Sequence, residues 1–349
     1  MTEPTIYRDI HPDSFIHPRD RAALETLRAV PLLDRAVEKV SSGTIEGVVH
    51  AEHHQTSVRV GPTQYPSIYR FVERACTILD VPVPDTYLDS GYTINASAFG
   101  MKRCAITLYS GLIDQLDDDE ILSVVGHEVG HIACDHMKYK TLAAVIHFAG
   151  YVALDQIPVV GGLFNVGMQQ ALGAWGRAAE FSCDRAALLV TEDPEVVATT
   201  LARLAGTCRR FRDEFNLDAA LEQADDYKAQ TGAFAKWVEA SRKTSATHPD
   251  PIARAQEIME WASSAQYQRI VDGDYLTRSA VATQSDSPFP PCPSCGKPVP
   301  ADHVKCWDCG LRLDPAFHIR CPHPQTPHVC DVDWKFCPEC RLPLRKHSE

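Results

Sequence analysis

The segment HEVGH at residues 127–131 is where this chain shows its chemistry first. Residues four apart lie on one face of an α-helix, so His127 and His131 can offer their imidazoles to one metal ion. Glu128, one position along, can reach a water on that metal without ligating it, and can take the water's proton as it attacks a carbonyl. A hydrolytic zinc centre needs a third protein ligand and one open position. WGRAAEFSCDRAALL supplies the candidates, because Glu180 and Asp184 are again four apart. Glu180 is expected to bind zinc. Asp184 is expected to accept a hydrogen bond from the non-ligating ring nitrogen of a ligand histidine and so fix its tautomer.

Those residues need helices to hold them. Asp117, Asp118 and Asp119 supply an N-cap and favourable charge at a helix start, and Val124, Val125, Val129 and Ile132 can bury the rest of that helix. Apolar spacing predicts one or two short helices over 20–40 around Pro31, and a helix over 65–79 ended by Pro82 and Pro84. Residues 44–60 read as strand or loop. Residues 86–109 read as strands, TYL and AITLY, with a turn-rich NASAFG between them. A short helix is expected after Ser110, longer ones over 177–190 and 194–215, and a last one from HPDP near 248, where proline suits a first turn. The stretch 141–175 holds two apolar halves broken by Asp155 and Pro158, each short of the ~20 residues of a spanning helix. It is read as a buried or surface-packed helical hairpin, with a membrane-embedded hairpin as the alternative. The fold class is therefore α+β, mainly helical, with a small edge sheet.

The order NASAFG, then ITLYSGLIDQLDDDEILSVVGHEVGHIACDH, then Glu180 with Asp184, then THPDPIAR at 247–254 resembles the HtpX and CAAX-prenyl-protease (Ste24-like) type of gluzincin metallopeptidase over roughly residues 20–262. The resemblance implies a zincin-type fold and a zinc metalloendopeptidase, with protein quality control as its setting. It also implies His127, His131 and Glu180 as ligands, Glu128 as base and Asp184 behind them. His248, with Arg254 on the following helix, is placed near the active site, where it could stabilise the oxyanion, gate the open metal position or merely cap its helix. The edge that takes an extended peptide substrate as an added strand is expected near 93–108.

Eight of the 13 cysteines lie between 292 and 340. Cys292, Cys295, Cys306 and Cys309 form C-x2-C-x10-C-x2-C with a glycine after each knuckle, the pattern of a zinc ribbon. Cys321, Cys330, Cys337 and Cys340 form a second set whose first knuckle is stretched and contains His323 and His328, either of which could replace a cysteine. The division expected is a peptidase domain over 1–278, a Pro- and Ser-rich linker over 279–291, and two tandem zinc ribbons over 292–349, with one catalytic and two structural zinc ions per chain.

The first fifteen residues show no basic region followed by an apolar stretch, and the other five cysteines are scattered, which reads as reduced thiols in a cytoplasmic protein. Membrane association through 141–175 is the alternative. The net charge of −12 argues against nucleic acid as a partner, since phosphate contacts need clustered Lys and Arg. The ribbons then suit protein recognition or structural stapling. A competing reading is a non-catalytic scaffold with a vestigial peptidase domain, against which the complete set of ligands, base and supporting carboxylate counts.

Overall fold

In a computed structural model of the chain, residues 4–30, 33, 37, 44–101, 103–151, 166–229, 251–284, 311–312, 318–320 and 329–331 are described. The chain divides into two units, Met1–Thr277 and Arg278–Glu349. The first runs α1 (Pro18–Arg28), α2 (Thr44–Thr56), β1 (Val58–Val60), α3 (Pro66–Ile78), β2 (Asp85–Asp89), β3 (Ala96–Phe99), β4 (Ala105–Tyr109) and α4 (Ser110–Gln115). It continues with α5 (Asp118–Ala133), α6 (Met137–Tyr151), α7 (Val166–Thr191), α8 (Pro194–Ala205), α9 (Leu217–Ala229), α10 (Pro251–Ala262) and α11 (Ala265–Val271). Short 3-10 turns cover Pro12–Ser14 and Arg209–Glu214.

The central helix, α5, begins at a reciprocal cap. Asp117 Oδ1 accepts from the backbone N–H of Glu120 at 2.9 Å, and Glu120 Oε2 accepts from that of Asp117 at 3.0 Å. Arg203 and Arg212 reach in from outside and pair with Glu120. From there Ile121, Leu122, Val125 and Val129 are buried in the main core. Its partner is α7, and two glycines decide how closely the pair can approach. A Cβ added at Gly130 would lie 2.6 Å from Ala186 Cβ, and one at Gly126 would lie 3.1 Å from Ala187 Cα. Glycine inside a helix costs about 1 kcal/mol relative to alanine, and close packing offsets it here. Gly130→Ala is therefore expected to destabilise, because overpacking by about 1–3 kcal/mol outweighs the propensity gain. Thermal melts of the metal-loaded protein would check this, and an unchanged or higher Tm would show that the helices have room.

The four-stranded sheet has the order β1-β2-β4-β3, with β2 and β4 parallel and the other pairs antiparallel. NASAFG, expected as a turn, contains β3, whose Ala96 stands opposite Leu108 and whose Phe99 stands opposite Ala105. Its alternation of buried Ala96 and Ala98 with half-buried Ser97 and Phe99 uses small residues, so it carried no β-branched signal. Residues 44–60, expected as strand or loop, are mostly the helix α2. Among its described side chains, His53 stacks on Phe99 and Tyr87, and His50 Nε2 lies 2.9 Å from the carbonyl of Arg103. The helix expected over 194–215 stops at Ala205, where Gly206 turns extended, and α7 begins earlier than the 177 expected.

The described ends of the 141–175 stretch lie in α6 and α7. Leu142, Met168, Leu172 and Trp175 share a second core with Leu27 and Leu33, and residues 152–165 lie outside the described residues. No helix among the described residues is long and apolar enough to cross a membrane.

In the second unit, Arg278–Gln284 is the helix α12, so the segment read as a linker begins helical. β5 (His318–Arg320) pairs antiparallel with β6 (Val329–Asp331), and Cys330 on β6 is buried opposite Ile319 in register. Cys292, Cys295, Cys306, Cys309, Cys321, Cys337 and Cys340, with His323 and His328, lie outside the described residues.

Candidate metal centre

The helical repeat places His127 and His131 one turn apart on α5, and Glu180 and Asp184 one turn apart on α7. Because the glycines let these helices meet, the Glu180 carboxylate stands between the two rings. Its Oε2 is 3.5 Å from His127 Nε2, and its Oε1 is 3.3 Å from His131 Nε2. Donors bound tetrahedrally at about 2.0–2.1 Å from one zinc ion stand about 3.3–3.4 Å apart, so this spacing suits a metal. A second sign of fit is that His131 Nε2 is buried and makes no directed hydrogen bond.

Behind the three donors lies Asp184. Its Oδ1 is 3.0 Å from His127 Nδ1, the ring nitrogen that faces away from Glu180. Arg254, from α10, closes the arrangement: its Nε donates to Asp184 Oδ2 at 2.8 Å and its Nη1 lies 3.1 Å from Glu180 Oε2. Arg254 is 4% exposed, as are Glu180 and Glu128. A cation so placed offsets the cost of burying two carboxylates on adjacent turns.

The electrostatics follow. Burial would raise Glu180 and Asp184, but Arg254 holds Glu180 well below, and Asp184 below, the ordinary carboxylate range. Burial would likewise lower His127, yet Glu180 and Asp184 beside it lift it to about 9. His131 is pushed well down by burial, with Lys140 adding to the effect. Both carboxylates are thus held ionised beside one guanidinium, and a divalent cation would take the place of the proton that His127 otherwise holds.

Cys183 also comes within 4.8 Å of ligand atoms of both histidines. Burial raises its thiol well above the ordinary value, which keeps it protonated while no metal is bound. Its sulphur also lies 3.6 Å from His136 Nδ1, whereas the Glu180 carboxylate faces both Nε2 atoms.

Glu128 turns into the adjoining cavity, its Oε2 buried without a hydrogen-bond partner among the described residues and 3.9 Å from Lys140 Nζ. The cavity's walls are apolar on one side, with Val124, Val197, Leu201 and Leu204, and Asn95 and Ala96 border it at β3, the edge strand of the sheet. His248 lies outside the described residues. Sequence reasoning placed Arg254 near the site but missed its grip on the two carboxylates. It also missed His136 and Asp20, which lie behind His131. For His136 a signal was available, since it closes the run HEVGHIACDH five residues beyond His131.

Residues 62–262 match the family model described as peptidase family M48. The chain is 33% identical over 271 residues to a plastoglobule-localized metallopeptidase 48, chloroplastic, of Arabidopsis thaliana, which covers 77% of this chain and 78% of that protein. It is 26% identical over 226 residues to a protease HtpX homolog of Nostoc sp., covering 58% of this chain and 75% of that protein. A protease HtpX homolog of Moorella thermoacetica is 25% identical over 176 residues, covering 44% and 59%.

Proposed function

Since the chain belongs to peptidase family M48 and is a metalloprotease acting on polypeptides, we propose that it is a zinc-dependent endopeptidase whose ligands are His127, His131 and Glu180. The observation that carries this reading is the convergence of both Nε2 atoms on the Glu180 carboxylate at 3.5 and 3.3 Å. Bound there, zinc supplies a Lewis acid for the scissile carbonyl and acidifies a water towards a pKa of about 7. Glu128 Oε2, buried and without a hydrogen-bond partner, takes the proton of the attacking water and returns it to the leaving amine. Asp184 holds His127 in the tautomer protonated at Nδ1, leaving Nε2 as the donor, and Arg254 keeps both carboxylates ionised.

The edge of β3 beside the cavity supports an extended substrate that pairs with it as an added strand. The apolar wall of Val124, Val197, Leu201 and Leu204 supports a preference for an apolar side chain next to the cleaved bond. A cleft that takes extended chain favours unfolded polypeptides, which is the form that quality control presents.

The tail belongs to the same reading, as two structural zinc ribbons with Cys292, Cys295, Cys306, Cys309, Cys321, Cys330, Cys337 and Cys340 as thiolates. Full-length protein is expected to hold three zinc ions per chain and to cleave casein. A strong chelator should stop cleavage and zinc should restore it. A chain ending at Ser285 should hold one zinc and still cleave short unstructured peptides, because the proposed ligands and base lie upstream. Elemental analysis giving one zinc for the full chain would remove the ribbons. Cleavage that persists without any metal would remove the mechanism.

A further inference from the structure

We propose that Asp20, acting through His136, is a positioning residue that sets the tautomer of His131 and so presents its Nε2 to the metal; this rests on the metal-centre reading above. Behind His131 runs a chain of three buried groups. His131 Nδ1 lies 3.1 Å from His136 Nδ1, and His136 Nε2 lies 3.0 Å from Asp20 Oδ2. The same carboxylate oxygen accepts from Ser182 Oγ at 2.6 Å. His131 and His136 are each 1% exposed, and Asp20 and Ser182 are 0% exposed. Bulk water therefore does not reach any member.

Counting protons leaves one arrangement. A neutral imidazole carries one proton, on one of its two nitrogens. If His136 kept its proton on Nδ1, its bare Nε2 would face the lone pairs of a buried carboxylate, and His131 would have to carry its proton on Nε2. A nitrogen so protonated cannot ligate. Asp20 Oδ2 already accepts from Ser182 Oγ, and with it accepting from His136 as well the proton of His136 goes to Nε2. Its Nδ1 is then bare and accepts from His131 Nδ1–H, which frees His131 Nε2 for the metal. The neutral Cys183 thiol, 3.6 Å from His136 Nδ1, is at most a weak second donor to the same lone pair. Each histidine ligand thus has its own carboxylate: Asp184 directly for His127, and Asp20 through an intervening imidazole for His131.

Asp20 lies N-terminal to residues 62–262, the part of the chain that matches the family model. It is held in place by a network of its own. It occupies the first turn of α1, where the helix dipole favours a negative charge. The backbone N–H of His17, the N-cap, donates to Ser182 Oγ at 3.0 Å, and Arg185 Nη1 donates to the carbonyls of Phe15 and Ile16. The start of α1 is thereby fastened to α7 beside the metal ligand Glu180.

The experiment uses full-length, zinc-loaded protein with 15N-labelled histidine, in which two-bond correlation spectra separate protonated, bare and metal-bound ring nitrogens. In the wild type, His131 is expected to be protonated at Nδ1 with a metal-shifted Nε2, and His136 protonated at Nε2 with a bare Nδ1. Zinc is then withdrawn with a competing chelator while the His131 signals report this site alone. Asp20→Ala is expected to lose about 10–100-fold in zinc affinity there, with His136 spread over both tautomers. Asp20→Asn, whose amide oxygen can take the place of Oδ2, is expected to recover most of that loss and to keep the wild-type tautomers. A folded Asp20→Ala with wild-type affinity and ring signals would overturn the proposal. Should that variant not fold, the wild-type spectrum still decides, because His136 protonated at Nδ1 overturns it equally. A His131 Nε2 with no metal shift in zinc-loaded protein would instead bring down the metal-centre reading, and this proposal with it.

Discussion

Glu128→Gln is expected to slow peptide cleavage by about 10²–10⁴-fold while the zinc stays bound. The substitution keeps the shape of the side chain and removes its ability to take a proton. In the wild type, Glu128 Oε2 is buried with no hydrogen-bond partner among the described residues, and Lys140 Nζ is 3.9 Å away. Replacing a poorly compensated buried carboxylate with a neutral amide should not weaken the fold, so lost activity would not be lost structure. Single-turnover cleavage and metal content measured on the same samples would separate the two. Near wild-type turnover with zinc in place would show that another group takes the proton.

The second large effect is on metal binding. Glu180→Ala should release zinc from this site far more readily than Asp184→Ala. Glu180 faces both Nε2 atoms, whereas Asp184 stands behind one ring and is expected to contribute about 10–100-fold. The pH dependence has a definite sign. His127 in the metal-free centre holds its proton up to about 9, lifted by Glu180 and Asp184 against the effect of burial. Metal binding at Nε2 must expel that proton, so affinity should rise about tenfold per pH unit below 9 and level off above it. Chelator competition at several pH values tests both points. Equal affinities for the two variants would mean that the third ligand is misassigned, and a flat pH profile would mean that His127 is not a ligand.

Several elements were legible because their signals are local. The cap at Asp117, the apolar spacing of α5 and α3, and the i, i+4 spacings of His127 with His131 and of Glu180 with Asp184 all depend on residues within one or two turns. Where the reading of 44–60 failed, part of the packing comes from histidines, which count as polar until aromatic partners such as Phe99 and Tyr87 are in place. β3 failed for a related reason. Three of its four side chains are alanine or serine, and so small an edge strand becomes a strand only by pairing with β4.

By itself, then, the sequence determined which residues share a helix face and what chemistry those types could perform, since helical periodicity is a property of neighbours. It could not determine what stands behind that face. Asp20 meets His136 across 116 positions, and Arg254 meets Asp184 across 70. No local pattern encodes such pairs. They arise because Gly126 and Gly130 let α7 approach α5 closely, and because α1 and α10 pack on α7 with Asp20 and Arg254 brought to the buried carboxylates and imidazoles. Only tertiary packing decided these contacts, and the reason is the cost of burying charge: the buried carboxylates of Asp20 and Asp184 find donors within hydrogen-bond distance, wherever in the chain those donors lie.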